Sequence, residues 1–166
     1  MEDDPPYDIA VTKTDGAAPD TPVMEALLRS AVEAALHRHR IRTASISIAL
    51  VNDAQIADLN GQYLHHPGPT DVLTFDLRDD GQAGRSDRIE AAVEGEIVIS
   101  VETAKRQADE LGHGAAAELA LYAVHGTLHL LGYEDEEAAQ ADRMHAVEDE
   151  ILEALGVGAV YRSGQQ

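Results

Sequence analysis

The apolar positions along the chain follow two rhythms. Strict alternation marks residues 7–11 and, more clearly, the β-branched run Ser45-Ile-Ser-Ile-Ala-Leu-Val51, which is the spacing of half-buried strands. Residues 72–77 and 96–101 read as a third and a fourth strand. A helical period takes over at 23–39, where Val23, Leu27, Leu28, Ala31, Ala35 and Leu36 line one face. Thr21 suits the N-cap of that helix and Pro22 its first position. Asn52 and Asp53 are placed to cap a short helix that ends near Gly61. Further helices are predicted over 102–111, stopped by Gly112, over 114–131, stopped by Gly132, and over 136–155. Four strands and about five helices in mixed order predict an α+β fold, a small mixed four-stranded sheet packed with helices, in one domain over 7–155. Residues 1–6 read as a disordered tail, 156–166 as a flexible tail, and 79–90 as an acidic, glycine-bearing connection between strands.

Composition narrows the chemistry. The 166 residues include no cysteine, so disulfides and thiolate ligands are excluded and any metal must be held by His, Asp or Glu. Twelve basic against thirty-one acidic residues give a formal charge of −19, which repels polyanions at long range and argues against nonspecific coating of nucleic acid. Much of the acid sits in 2–4, 79–96 and 134–153, which leaves room for a locally positive or metal-bearing cleft. The acidic, proline-bearing N-terminus lacks the charge pattern of a signal peptide, and no apolar run reaches membrane-spanning length. The expectation is a cytoplasmic protein with no membrane partner.

The informative segment is His125-Gly-Thr-Leu-His129-Leu-Leu-Gly132-Tyr-Glu-Asp135. Residues four apart on a helix share one face, so the imidazoles of His125 and His129 are able to chelate one small cation. Both sit in the apolar frame of Leu119, Leu121, Val124, Leu128, Leu130 and Leu131, where burying an unpaired imidazole is costly. Gly132 permits the chain to turn back after the helix and return position 135 towards the metal. Asp135 is the expected third ligand, with Glu134 and Glu136 as competitors, and three protein ligands leave a fourth position for water or substrate. The spacing HxxxHxxGxxD follows the zincin pattern HExxHxxGxxH, but Gly126 stands where the proteases place their general-base Glu.

This segment closely resembles the signature HGxLHLxGYxH of the YbeY-type endoribonucleases, the bacterial ribosomal-RNA maturation factors. Two further stretches match in order. Leu59-Asn60 and Tyr63, leading to Pro69-Thr-Asp-Val-Leu-Thr-Phe75, resemble the family's LNxxYRxxDxPTDVLSF, and Gly95-Glu-Ile-Val-Ile-Ser100 resembles its GDIVIS. The resemblance spans about residues 46–155. It implies an α+β metalloprotein with a zincin-like metal-binding helix and one Zn2+ per chain on His125, His129 and Asp135. It also implies cleavage of single-stranded RNA, processing of the 3′ end of small-subunit ribosomal RNA precursor, a part in ribosome quality control, and the ribosome or its proteins as partners. The chain departs from the pattern at Asp135, where most members have His, at Leu64 in place of an Arg, and at Pro67 in place of an Asp.

Other candidates carry less specific signals. His66 is placed to contact phosphate or shuttle a proton, with an ordinary loop residue as the alternative. Thr70 and Asp71 line the expected cleft or simply begin a strand. Arg38, Arg40 and Arg42 make the compact basic segment of the chain, suited to guiding phosphate or to complementing the helix dipole. One Phe, five Tyr and no Trp leave little for stacking bases. A noncatalytic ribosome-associated zinc protein and a zincin-like metallopeptidase stand as the alternatives to a metal-dependent endoribonuclease.

Overall fold

The computed structural model describes residues 7–13, 22–63, 72–77, 92–112, 114–133 and 137–156. Thr21, the two terminal tails up to 6 and from 157, and the connection at 79–90 lie outside them. The elements run β1 (Tyr7–Lys13), α1 (Pro22–Arg38), β2 (Ala44–Val51), α2 (Asp53–Tyr63), β3 (Val72–Asp76), β4 (Val93–Ser100), α3 (Val101–Leu111), α4 (Ala115–Leu130) and α5 (Ala138–Ala154). The sheet order is β1-β2-β4-β3. β1, β2 and β4 run parallel, and β3 lies antiparallel on β4, so the sheet is mixed and the fold α+β, as the pattern predicts.

Register follows from the alternation. Ile9 stands beside Ile46, Ile46 beside Gly95, Ile48 beside Ile97 and Leu50 beside Ile99, so these side chains share one face and enter the main core with α1, α4 and α5. The opposite face is apolar only towards one end, where Val51, Leu73 and Val98 pack with Ile56 of α2. Several element ends shift by one to three residues from expectation, and three of the shifts have a visible cause. β4 begins at Val93 rather than 96, because Val93 to Gly95 pair with Ala44 to Ile46 of β2, and ladder bonds hold charged Glu94 in a strand that alternation alone did not reveal. α2 continues past Gly61 to Tyr63, since one interior glycine costs only about 1 kcal/mol. Val101 opens α3 instead of closing β4, because Ser100 turns its hydroxyl onto the Thr103 N–H as N-cap.

α4 is the centre of the molecule, in contact with α1, α3, α5, β3 and β4. From Glu118 to Leu130 every residue is buried except Leu121, His125 and His129, which fall on one stripe at a spacing of four. The helix reaches the sheet at Gly126, where a Cβ would lie 2.7 Å from Ile97 Cγ2 and 3.2 Å from Thr74 Cγ2. Gly95 makes the reciprocal allowance, since a Cβ there would meet Leu130 Cδ1 at 2.7 Å. Residues from all three sequence motifs therefore meet at this contact.

A polar knot ties α2 to α3. The Asp53 carboxylate accepts from Ser100 Oγ at 2.5 Å, from Thr103 Oγ1 at 2.7 Å and from Arg106 Nη1 at 2.5 Å. Burial pushes the Asp53 pKa upward, but the hydrogen bonds from Ser100, Arg106 and Thr103, with the Arg106 charge, outweigh it and hold the carboxyl below its ordinary 3.8. Among the described residues no helix is long and apolar enough to cross a membrane.

Gly126→Ala is expected to destabilise the fold by about 1–3 kcal/mol, because Ile97 is fully buried and must shift. A lower urea midpoint with an unchanged slope checks this. For Asp53 the depressed folded pKa means that its contribution is fully present above the unfolded value and is lost as pH falls through the folded value. Asp53→Asn is therefore expected to lower the melting temperature at neutral pH, with the gap to wild type narrowing below about pH 3.8. Melts across that range report the difference directly.

Candidate metal centre

The helical turn between His125 and His129 brings their rings to a centroid distance of 4.5 Å with planes at 86°. Their Nε2 atoms stand 3.0 Å apart. Each ring is aimed by a partner at its other nitrogen. His125 Nδ1 lies 2.5 Å from Glu148 Oε2 of α5, and that carboxylate is 1% exposed. The second Glu148 oxygen accepts from His145 Nδ1 at 2.9 Å. His129 Nδ1 donates to the Tyr133 carbonyl at 3.0 Å.

The Tyr133 carbonyl reaches His129 because of how α4 ends. Tyr133 N–H bonds back to the Leu128 carbonyl at 3.0 Å and Gly132 N–H to the His129 carbonyl at 3.1 Å, the paired closure of a Schellman turn. Gly132 takes φ 104°, a left-handed value that a side chain would resist. The glycine read from sequence as a helix stop thus also delivers the acceptor that orients a ligand ring.

These partners set the tautomer of the neutral pair. A carboxylate and a carbonyl accept only, so each Nδ1 carries the proton and each neutral ring turns the Nε2 lone pair into the same gap. Two lone pairs 3.0 Å apart repel, and a proton or a metal cation between them removes the repulsion. Nitrogens on one tetrahedral zinc stand roughly 3.3 Å apart, within a few tenths of an ångström of the observed separation. Imidazole Nε2 atoms whose Nδ1–H groups are held by a carboxylate and a carbonyl are the usual donors to zinc. The two described donors fit a zinc-type ion.

Asp135 and its competitors Glu134 and Glu136 lie outside the described residues, as do Leu64, His66, Pro67, Thr70 and Asp71. Among the described residues no group of three or more His, Asp or Glu side chains is placed to hold a metal. The basic segment is fastened to its surroundings. Arg38 pairs with Glu150 of α5 at 2.7 Å, the His37 ring packs 5.0 Å from that of Tyr7, and Arg40 occupies the left-handed position of the turn after α1 with φ 58°. Arg40 and Arg42 remain exposed.

Glu148 is the residue of this cluster that sequence reasoning missed. Its signal was present: it lies midway between Met144 and Leu152, both fully buried, so a carboxylate occupies the helical phase where an apolar residue belongs. Gly126 also changes meaning. A side chain at 126 would enter the contact with Ile97 and Thr74 of the sheet, so a Glu there would displace core packing rather than serve as a base. A zincin-like metallopeptidase would lack its general base here, since no carboxylate follows His125.

Comparison with known proteins agrees with the motifs. The family model for endoribonuclease YbeY matches residues 10–156. The chain belongs to the YbeY family. It is 47% identical to the endoribonuclease YbeY of Moorella thermoacetica over 69% of this chain and 74% of that one. The YbeY of Desulfitobacterium hafniense is 39% identical over 79% of this chain and 85% of its own length. The solution structure of TM1509 from Thermotoga maritima superposes with a TM-score of 0.57 at 24% identity, over 89% of this chain and 91% of that one. It shares the fold. Within a YbeY chain, then, the GEIVIS motif has structural work at both ends, through the close approach at Gly95 and the cap at Ser100.

If Glu148 orients His125, Glu148→Ala is expected to weaken zinc binding by about 10–100-fold, with Glu148→Gln intermediate because its amide oxygen still accepts. Competition against a chromophoric chelator measures this, and wild-type affinity in Glu148→Ala would remove the carboxylate from the site.

Proposed function

We propose that this chain is a zinc-dependent endoribonuclease that cuts single-stranded RNA in the cytoplasm. Its substrate on this reading is ribosomal RNA precursor at the small-subunit 3′ end. It acts in ribosome quality control with the ribosome or ribosomal proteins as partners. The relatives named endoribonuclease YbeY support the reaction class. The observation that carries the metal dependence is the pair of convergent Nε2 atoms 3.0 Å apart, each backed by an acceptor at Nδ1.

His125, His129 and Asp135 are the residues that would hold one ion per chain, with Asp135 adding negative charge where the family's usual His would not. When bound, the ion supplies Lewis acidity, which polarises a phosphoryl oxygen and acidifies a water. Glu148 and the Tyr133 carbonyl keep both imidazoles in the tautomer that offers Nε2. Exposed Arg40 and Arg42 offer charge to phosphate on a chain that otherwise repels polyanions, and His66, Thr70 and Asp71 are the further candidates for contact with the substrate. A flexible single strand can place its phosphate in line at such a site, whereas a stacked duplex resists the geometry.

Purified protein is expected to carry about one zinc per chain, to cut a labelled unpaired RNA, to spare the duplex, and to stop on chelation. His125→Ala or His129→Ala removes both metal and cleavage, while Asp135→His retains metal. Elemental analysis and gel assays on the same preparations provide the check. Zinc retained in both histidine variants sinks the site, and cleavage undiminished in His129→Ala identifies a contaminating nuclease and favours the noncatalytic ribosome-associated reading.

A further inference from the structure

His39, in the turn that follows α1, is joined to the loop after the metal helix. Its Nδ1 lies 2.8 Å from the Ala35 carbonyl, which only accepts, so Nδ1 carries the proton and Nε2 is left as an acceptor. The Tyr133 hydroxyl, 94 residues along the chain, donates to that Nε2 at 2.7 Å. The two rings meet edge to face with centroids 5.3 Å apart at 84°. Burial depresses the His39 pKa, against the favourable hydrogen bond to Ala35, and the Arg38 charge lowers it further, which keeps the ring neutral and able to accept.

Tyr133 is thereby fixed at three atoms. Its N–H is held by the Leu128 carbonyl, its hydroxyl by His39, and its own carbonyl receives His129 Nδ1. A shift of the hydroxyl anchor tilts the residue and moves the carbonyl that aims the ligand ring. The stop of α4 supplies only the backbone part of this fixation.

We propose that His39 is a positioning residue for the metal centre, acting through Tyr133 to orient His129. The proposal rests on the metal reading above and adds to it a helix far away in sequence. If the bond served stability alone, its removal would lower the melting temperature and leave the metal environment of the folded protein unchanged.

The test measures zinc affinity by chelator competition and the visible absorption of cobalt-substituted protein, alongside melting of the metal-free form. His39→Ala and Tyr133→Phe are each expected to weaken zinc binding about tenfold or more and to alter the cobalt bands. The double variant should be no weaker than either single one, since both remove the same link. His39→Gln is expected to restore affinity and spectrum, because its amide oxygen reaches the place of Nε2, whereas His39→Asn reaches only Nδ1 and should not. Wild-type affinity and spectrum in Tyr133→Phe, additive losses in the double variant, or equal behaviour of Gln and Asn at 39 would each overturn the proposal, even if His39→Ala fails to fold. His125→Ala and His129→Ala serve as controls. If they bind zinc like wild type, the metal reading itself fails; if they lose it while Tyr133→Phe does not, only the role of His39 fails.

Discussion

The packing of α4 constrains everything else in this molecule. A helix surrounded by three other helices and two strands has almost no surface on which polar side chains are tolerated. The contact at Gly126 sets how deep it lies: with no Cβ to separate them, helix and sheet meet across Ile97 and Thr74. The rotation of the helix is fixed by the same contact, and what remains less buried is the stripe of Leu121, His125 and His129. The position of the histidines is a consequence of core packing on the opposite side of the helix.

Burial makes the orientation of those rings expensive to leave undetermined. An imidazole in an apolar frame needs its N–H satisfied, and here the two partners come from different places. Glu148 belongs to α5 and is itself shared with His145. Tyr133 belongs to the turn that ends α4 and is tied to the end of α1. α5 and the turn after α1 therefore back the two rings, through Glu148 directly and through Tyr133 from His39, and rings held in advance need less reorganisation to meet a cation.

The formal charge of −19 disfavours a polyanion, and because screening at physiological salt confines both repulsion and attraction to about 8 Å, the charges near the site decide more than the total. Arg38 pairs with Glu150, and Arg40 and Arg42 are exposed beside His39 in the same short segment. The positive charge and the linkage to the end of α4 thus share one short segment.

Sequence by itself determined what depends on local spacing. The alternation in β2 and the period of α1 specify faces, and the interval of four between His125 and His129 places both on one side of any helix they form. Gly132 was legible as a stop because its φ of 104° is a local demand. The tertiary structure alone decided what depends on which elements meet. The first residues of β4 are strand because β2 lies beside them, and Gly126 is small because the sheet lies against it. Glu148 and His39 join the site across 23 and 94 residues. No period in a sequence encodes such distances, because they are set by how helices cross in the core rather than by the geometry of any one of them.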